Sequence, residues 1–413
     1  MDRRHLIAAG AALPFGLSTV AAARAGAASA PDQAGGAVAE GNVQVAQTAT
    51  AKATPTIYDY GAIGDGVTDD SAAFSKALAA AATKGLMVIV PAGTYAIAKT
   101  ISFVSTQDAG RPWGLQAQGA TLVSTITNGT DIMSLQAVNT VRYFRILGAM
   151  KILGSGKDGN GLRIIAYGSS YFFYNVTLDG LCIEGAGLNG LLFEGNVFES
   201  LLVGCFFQDC KQNGAVFAQS KGGVCSAITV VGCFFAQNTK CGMMATNFDS
   251  TYGGTTDVRI FGGYCRDNGS YGFYYNNGTS SGAAIEQVGF ENNCRSLSPG
   301  DPNGAHVYGL VQMRLRNCTG YNEGGGATYM VRGWFSNLTV LDNCDQSSGG
   351  AMATTGKSRL AQVNGNAAGH VLMRQSGGGF DMVSGAGCTW AAENCYGTSP
   401  VGTLNLKATV TSG

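Results

Sequence analysis

His306 and Tyr308 stand two residues apart, with Tyr274 one stretch earlier and Arg266, Asp267, Glu291 and Arg295 in the polar segments between them. Those residue types can remove a carbon-bound proton beside a carboxylate. Such an elimination needs a cation to neutralise the carboxylate, a base to take the proton and an acid to protonate the leaving oxygen. Arg295 or Arg266 suits the first task, His306 the second, and Tyr308 or Tyr274 the third. The matching substrate is a uronate-containing polysaccharide cleaved by β-elimination. Asp267, Glu291, Asn276, Glu194 and Asp209 are then candidate saccharide contacts together with Arg266. Apart from His5 near the start and His370 near the end, His306 is the chain's one imidazole.

Residues this far apart act together only if the chain winds repeatedly past one surface. A glycine that opens a strand recurs at Gly161, Gly190, Gly214, Gly242, Gly272, Gly304, Gly326 and Gly350, at intervals of 22 to 32 residues. That interval suits one coil of a β-solenoid per repeat. Strand side chains alternate between faces, and stacked coils lie about 4.8 Å apart. One and three residues after each glycine the pairs are Leu162/Ile164, Leu191/Phe193, Ala215/Phe217, Met243/Ala245, Phe273/Tyr275 and Ala305/Val307, an apolar set expected to form the core. Two and four residues after it come Arg163, Glu194, Tyr274, Asn276, His306 and Tyr308, expected to face outward, with Tyr274 beside the His306/Tyr308 pair. Asp209, Gln237 and Asp267 each stand five residues before their glycine and should stack along one turn line. Two coil steps between Asp209 and Asp267 give roughly 9–10 Å, at the upper end for an inverting carboxylate pair. Polar turns such as "QDCKQNG", "AQNTKCG" and "CRDNGSYG" carry asparagines whose amides can bond their counterparts in neighbouring coils.

Composition agrees with many short strands. The 413 residues include 62 glycines, about twice the usual share, and only 13% are charged. Lys plus Arg equals Asp plus Glu at 26 each, so nothing recommends nucleic acid as a partner. Twelve cysteines include Cys205, Cys233, Cys265, Cys318 and Cys344 near one phase of the repeat, and Cys210, Cys241 and Cys294 near another. No compact Cys-x-x-Cys pair or His-rich partner accompanies them, which argues against zinc. Regular spacing favours buried thiols along an interior ladder, with disulfides as the alternative in an exported protein.

The first 30 residues read as an export signal. Arg3-Arg4 forms a basic start, Leu6 to Val20 is mostly apolar, and small residues end at Ala30. The two arginines resemble the twin-arginine type of signal. Residues 31–54 read as a flexible linker, and no later segment is apolar and long enough to span a bilayer. The expected location is periplasmic or extracellular.

From Tyr58 the chain runs "YDYGAIGDGVTDDSAAFSKAL", then "VIVPAGTY" at 88–95. Asp65, Asp69 and Asp70 crowd this opening loop, where Thr68 or Asp69 is placed to cap a helix over residues 71–83 that Gly85 ends. Capping and turn chemistry account for the acids better than a metal or catalytic site. These residues strongly resemble the start of pectate-lyase-like proteins, a group with rhamnogalacturonase-like enzymes, alginate epimerases and phage tailspikes. The resemblance implies an all-β fold, a single-stranded right-handed parallel β-helix with an N-terminal capping helix. On this reading residues 55–413 form the β-helix domain: N-terminal cap 55–119, coils 120–365 and C-terminal cap 366–413. The Asn-Thr-Asp, Gly-His-Gly and Arg-x-Lys signatures of polygalacturonases are absent, as is the Arg-x-Pro-x-x-Arg stretch of calcium-dependent pectate lyases. The epimerase signature Asp-Pro-His-Glu has a faint echo in Asp301-Pro302-Asn303-Gly304. No cofactor is evident, and calcium is left open, as is the oligomeric state, a trimer included. The sequence therefore points to an exported enzyme of acidic polysaccharides, a lyase first. An inverting hydrolase using Asp209 and Asp267, and a non-catalytic carbohydrate-binding or structural β-helix, are the alternatives.

Overall fold

The acidic loop is consumed by its own backbone. In the computed structural model the Asp65 carboxylate accepts the Val67 and Thr68 N–H groups at 2.8 and 2.7 Å, and Asp70, 1% exposed, accepts those of Ile63 and Gly64 at 2.7 and 3.1 Å. Asp69 takes the Ser71 N–H at 3.1 Å and the Ser71 hydroxyl, which satisfies a free donor of the first helical turn. Thr68 instead gives its hydroxyl to Asp65. The helix runs Ser71–Lys84 and ends at Gly85, whose φ of 57° is the left-handed cap conformation. Phe74 and Leu78 are fully buried, and the Phe74 ring meets Tyr95 edge-on at 5.4 Å. An Asp70→Ala variant is expected to lose about 1–3 kcal/mol of stability, because two loop N–H groups are left without an acceptor. A denaturation midpoint unchanged from the parent would show that the loop holds itself without Asp70.

The structure describes residues 54–106, 108–168, 170–248, 255–276, 282–298, 301, 303–309, 312–323, 326–333, 338–348, 359–364, 370–374, 376, 379–383 and 389–393. The export signal and all but the last residue of the linker lie outside them. Beyond the helix the chain is a solenoid of short parallel strands forming three sheets. The first sheet stacks Gly93–Ile97, Ala120–Ser124, Met150–Leu153 and their successors through Tyr264–Arg266, Gly289–Glu291 and Thr319–Asn322. The second stacks Ile101–Ser105 through Leu191–Gly195, Ala215–Gln219, Met243–Asn247, Phe273–Tyr275, Ala305–Gly309 and Tyr329–Gly333. The third begins at Met87–Val90 and reaches Thr389–Glu393. Most coils give a strand to each sheet in turn, and three coils add a second short strand to the third sheet, Thr140–Arg142, Phe172–Tyr174 and Val197–Phe198, so the backbone winds as a single-stranded parallel β-helix.

The apolar set expected in the core is there. All twelve residues from Leu162/Ile164 to Ala305/Val307 are 0% exposed. Aromatic rings stack along the axis inside, as Phe207 does on Phe235 at 5.4 Å. Polar ladders mark the corner between the first and second sheets. In one, the Asn160 Nδ2 donates to Asp131 at 2.7 Å, Asn189 to Asn160 at 2.8 Å and Asn213 to Asn189 at 2.9 Å. In the other, wholly buried, Asn238 donates to the Asn268 Oδ1 at 3.0 Å and Asn268 to the Asn293 Oδ1 at 2.8 Å. Buried amides demand such partners, and identical neighbours supply them.

Every described cysteine is a free thiol, and all but Cys182 are buried. Cys205 stacks on Cys233, the Cys205 N–H lying 3.3 Å from the Cys233 Sγ. Cys265 departs from the expected alignment, because the strand register sets it level with Phe235 and Phe290. The corner keeps its length, with Val231 and Phe234 level with Phe261 and Tyr264, so Gly263 takes the place of Cys233 and Cys265 lies two residues further along.

Candidate functional site

On the outer face of the second sheet the register sets Met244, Tyr274, Tyr308 and Arg332 in one column across four coils. The Tyr274 and Tyr308 rings lie 5.2 Å apart and 6° from parallel, as the sequence spacing implied. Tyr271, from the turn leading into the Tyr274 strand, completes the cluster at 5.5 and 5.1 Å from the two rings. A groove of about 460 Å³ ends against Tyr271 and Tyr274. Met244, Phe248, Lys240 and Ser270 are among its other lining residues. Burial pushes the Tyr271 phenol up to about 12, and burial with the neighbouring Tyr308 raises Tyr274. Both hydroxyls are therefore protonated at neutral pH and act as donors. Lys240 is exposed, and among the described residues neither a carboxylate nor an imidazole lines the groove.

His306 is not on this surface. It is 0% exposed, its Nδ1 lies 3.0 Å from the Asn293 Nδ2, and its ring faces Phe290 at 6.0 Å. The register explains why counting from glycines misplaced it. Phe273 pairs with Val307, so His306 is level with Gly272 and not two places beyond it. A Cβ at Gly272 would itself meet Phe290 at 2.8 Å and the Asn293 amide at 3.0 Å, which marks that position as inward-facing. The turn before Gly304 is two residues out of phase, and parity hid the slip: Tyr308 kept its outward face. His306 thus ends the buried asparagine ladder. The Asn293 Oδ1 is taken by Asn268, so its Nδ2 donates to the imidazole, which leaves the ring proton on Nε2. Among the described residues that buried Nε2 has no hydrogen-bond partner, and burial lowers the imidazole pKa from 6.5 to about 3.

The charged candidates sit elsewhere. Arg266 ends a strand of the first sheet, and Asp267 follows it in the corner, 3.3 Å from the Arg266 Nε and 3.8 Å from the Arg295 Nη1. Glu291 ends the next strand of that sheet and accepts the Tyr264 hydroxyl at 2.9 Å. Asp209, Gln237 and Asp267 do stack in one line. Each donates its N–H to the carbonyl of the coil above, Asp209 to Ala236, Gln237 to Arg266 and Asp267 to Glu291, and their φ values are 54°, 56° and 54°. Burial first, then Glu184, raises the Asp209 pKa, while Lys211 opposes them. Glu194, expected outside, is only 6% exposed, because Arg163 clasps it at 2.6 and 3.0 Å and Tyr167 joins the same guanidinium. Asn276 follows Tyr274 at the groove's sheet, half-buried. Among the described residues no three His, Cys, Asp or Glu side chains converge as metal ligands, and no helix is long and apolar enough to cross a membrane.

Tyr271, Lys240 and Arg332 were not among the sequence candidates. The first two lie inside turns whose asparagines already explained them, "CRDNGSYG" and "AQNTKCG". What would have found them is their place one and two residues before the repeated glycine.

Residues 56–145 match the family model described as rhamnogalacturonase A/epimerase, pectate lyase-like, and so include the opening motif. No curated protein matches the chain. Among solved structures, ORF18 of Geobacillus virus E2 superposes with a TM-score of 0.55 at 17% identity over 80% of this chain. The chain spans 62% of that viral protein's length. The catalytic unit of a GH87 α-1,3-glucanase from Streptomyces thermodiastaticus gives 0.54 at 14% identity, over 84% of this chain and 70% of the glucanase. The A-module of an Azotobacter vinelandii mannuronan C-5 epimerase gives 0.45 at 15%, over 84% and 99%. At these identities the first two likenesses establish the β-helix fold.

Proposed function

We propose that this β-helix is a polysaccharide-active protein that holds an acidic glycan in the groove on the outer face of its second sheet. The observation that carries the proposal is the Tyr271, Tyr274 and Tyr308 cluster closing a groove that also presents Lys240. A concave, mostly apolar site with a few polar groups suits a small ligand or one stretch of a polymer. Ring faces stack on the C–H faces of sugars, protonated phenols donate to their oxygens, and the ammonium pairs with a carboxylate.

The reaction is a separate question from the binding. Enclosure of His306 leaves β-elimination without the base assigned to it. An inverting hydrolysis has one observation in its favour, the stacked Asp209–Gln237–Asp267 line with Asp209 raised and Asp267 between two guanidiniums. An acid and a partner carboxylate roughly 9–10 Å apart match the inverting geometry at its upper end.

Affinity electrophoresis of the full chain against uronate polymers and neutral glycans tests the binding. Retention by uronate polymers is expected, and Tyr274→Ala is expected to weaken it about tenfold. Retention that ignores Tyr274, with the variant folded by circular dichroism, would place the glycan elsewhere. In the same mixtures, new ultraviolet absorbance reports elimination. Reducing ends without absorbance, lost on Asp209→Asn, report hydrolysis.

A further inference from the structure

Two cations bracket the rings that end the groove proposed above, one on its wall and one beyond them. Lys240 stands on its wall one coil before Tyr274. Arg332 stands level with Tyr308 on the following coil. Among the described residues neither cation has a carboxylate partner, whereas Arg142, Lys151, Arg163, Arg259, Arg266, Arg295 and Arg316 each do. The Arg332 Nη1 donates to the Asn303 carbonyl at 3.0 Å, which restrains the side chain, and among the described residues its buried Nε has no hydrogen-bond partner. Its charge reaches Tyr271, where it opposes the effect of burial on the phenol. The acid in the adjoining turn, Asp301, has its Oδ1 engaged by the Asn303 N–H at 2.8 Å. Two unpaired cations flanking three aromatic rings amount to a site with a repeat length.

We propose that Lys240 and Arg332 are two anion subsites at opposite ends of the Tyr271, Tyr274 and Tyr308 platform, so that the groove selects a polyanionic glycan engaged over several consecutive residues. This rests on the reading of the groove as a saccharide site and adds a requirement for charge and length. The Lys240 and Arg332 coils are three steps apart, roughly 14 Å along the axis. A coil step of about 4.8 Å is close to one pyranose unit in an extended chain, so the two anions belong to sugars about three units apart. A disaccharide cannot reach both cations.

Titration calorimetry with oligouronates of two to six residues, and with the same oligomers after reduction of their carboxyl groups, tests this on the full chain. The expected result is a rise in affinity of about tenfold or more between the trimer and the longer oligouronates. That rise should vanish in Lys240→Ala and in Arg332→Ala, and it should be absent from the reduced series. Restoring it with Arg332→Lys would show that charge, and not packing, is read. If charged and reduced oligomers bind alike and only Tyr274→Ala weakens them, the two-subsite proposal is overturned while the saccharide groove stands. If no oligomer binds, the groove reading falls and this proposal with it.

Discussion

Replacing Asn268 by Ala is expected to lower the unfolding free energy by roughly 3–5 kcal/mol. Asn268 is fully enclosed and serves four partners. Its Nδ2 donates to the Phe235 carbonyl at 3.0 Å and the Asn293 Oδ1 at 2.8 Å, and its Oδ1 accepts the Asn238 N–H at 3.2 Å and the Asn238 amide at 3.0 Å. Truncation strands several of these groups in a medium where an unpaired polar atom costs about 1–3 kcal/mol. The asymmetry between losing a hydrogen bond and orphaning its partner makes the effect large. Asn343 gives the control, since it makes the same kind of amide contact to Asn317 at 2.8 Å but in solvent. Asn343→Ala is expected to cost no more than about 1–2 kcal/mol, chiefly because alanine takes the left-handed φ of 48° at this position less readily than asparagine. Guanidinium unfolding of both variants checks the contrast. Equal losses would mean that burial does not set the value of the ladder.

Acidification from pH 7 to pH 4.5 is expected to destabilise the fold through His306 alone by about 2–3 kcal/mol. The imidazole pKa is 6.5 in the unfolded chain and about 3 in the folded one. Native His306 therefore binds fewer protons than unfolded His306 between those values, so stability is full above pH 6.5 and drains as pH falls toward 3. The limiting loss is 6.5 − 3 = 3.5 pH units, about 5 kcal/mol at 1.36 kcal/mol per unit. The lowered carboxyls Asp65, Asp69 and Glu184 begin to cost stability only as pH falls to their unfolded values of 3.8 and 4.5, at and below the lower edge of this window, and the raised Asp209 acts in the opposite sense. His306→Asn extends the amide ladder without a titrating group and should flatten the profile between pH 6.5 and 4.5. Should the variant keep the parent's slope there, the dependence comes from another group.

The scaffold was largely legible because its signal is repeated. Twelve inward positions were readable from alternation after the glycines, and each is sealed. The stacked Asp209–Gln237–Asp267 line and the asparagine ladders followed from the same phase. Chemistry was less legible, because a site depends on single positions that no repetition averages. His306 was placed outside by a count that ran from Gly304, yet the register starts two residues later. Glu194 was placed in solvent by parity, but Arg163 and Tyr167 cover it, and the adjoining Leu192, Val216 and Ala218 form a small apolar cluster on the same face. Alternation tells which way a side chain points; it does not tell what lies over it.

The two-residue slip ahead of Gly304 was absorbed entirely within one loop. Tyr274 and Tyr308 stay level across it, and the strands on either side keep their pairing. Loop length and ladder alignment are thus independent variables in this molecule. Its rim can be rewritten, lengthened or trimmed to suit another ligand while the stacked wall beneath remains as it is.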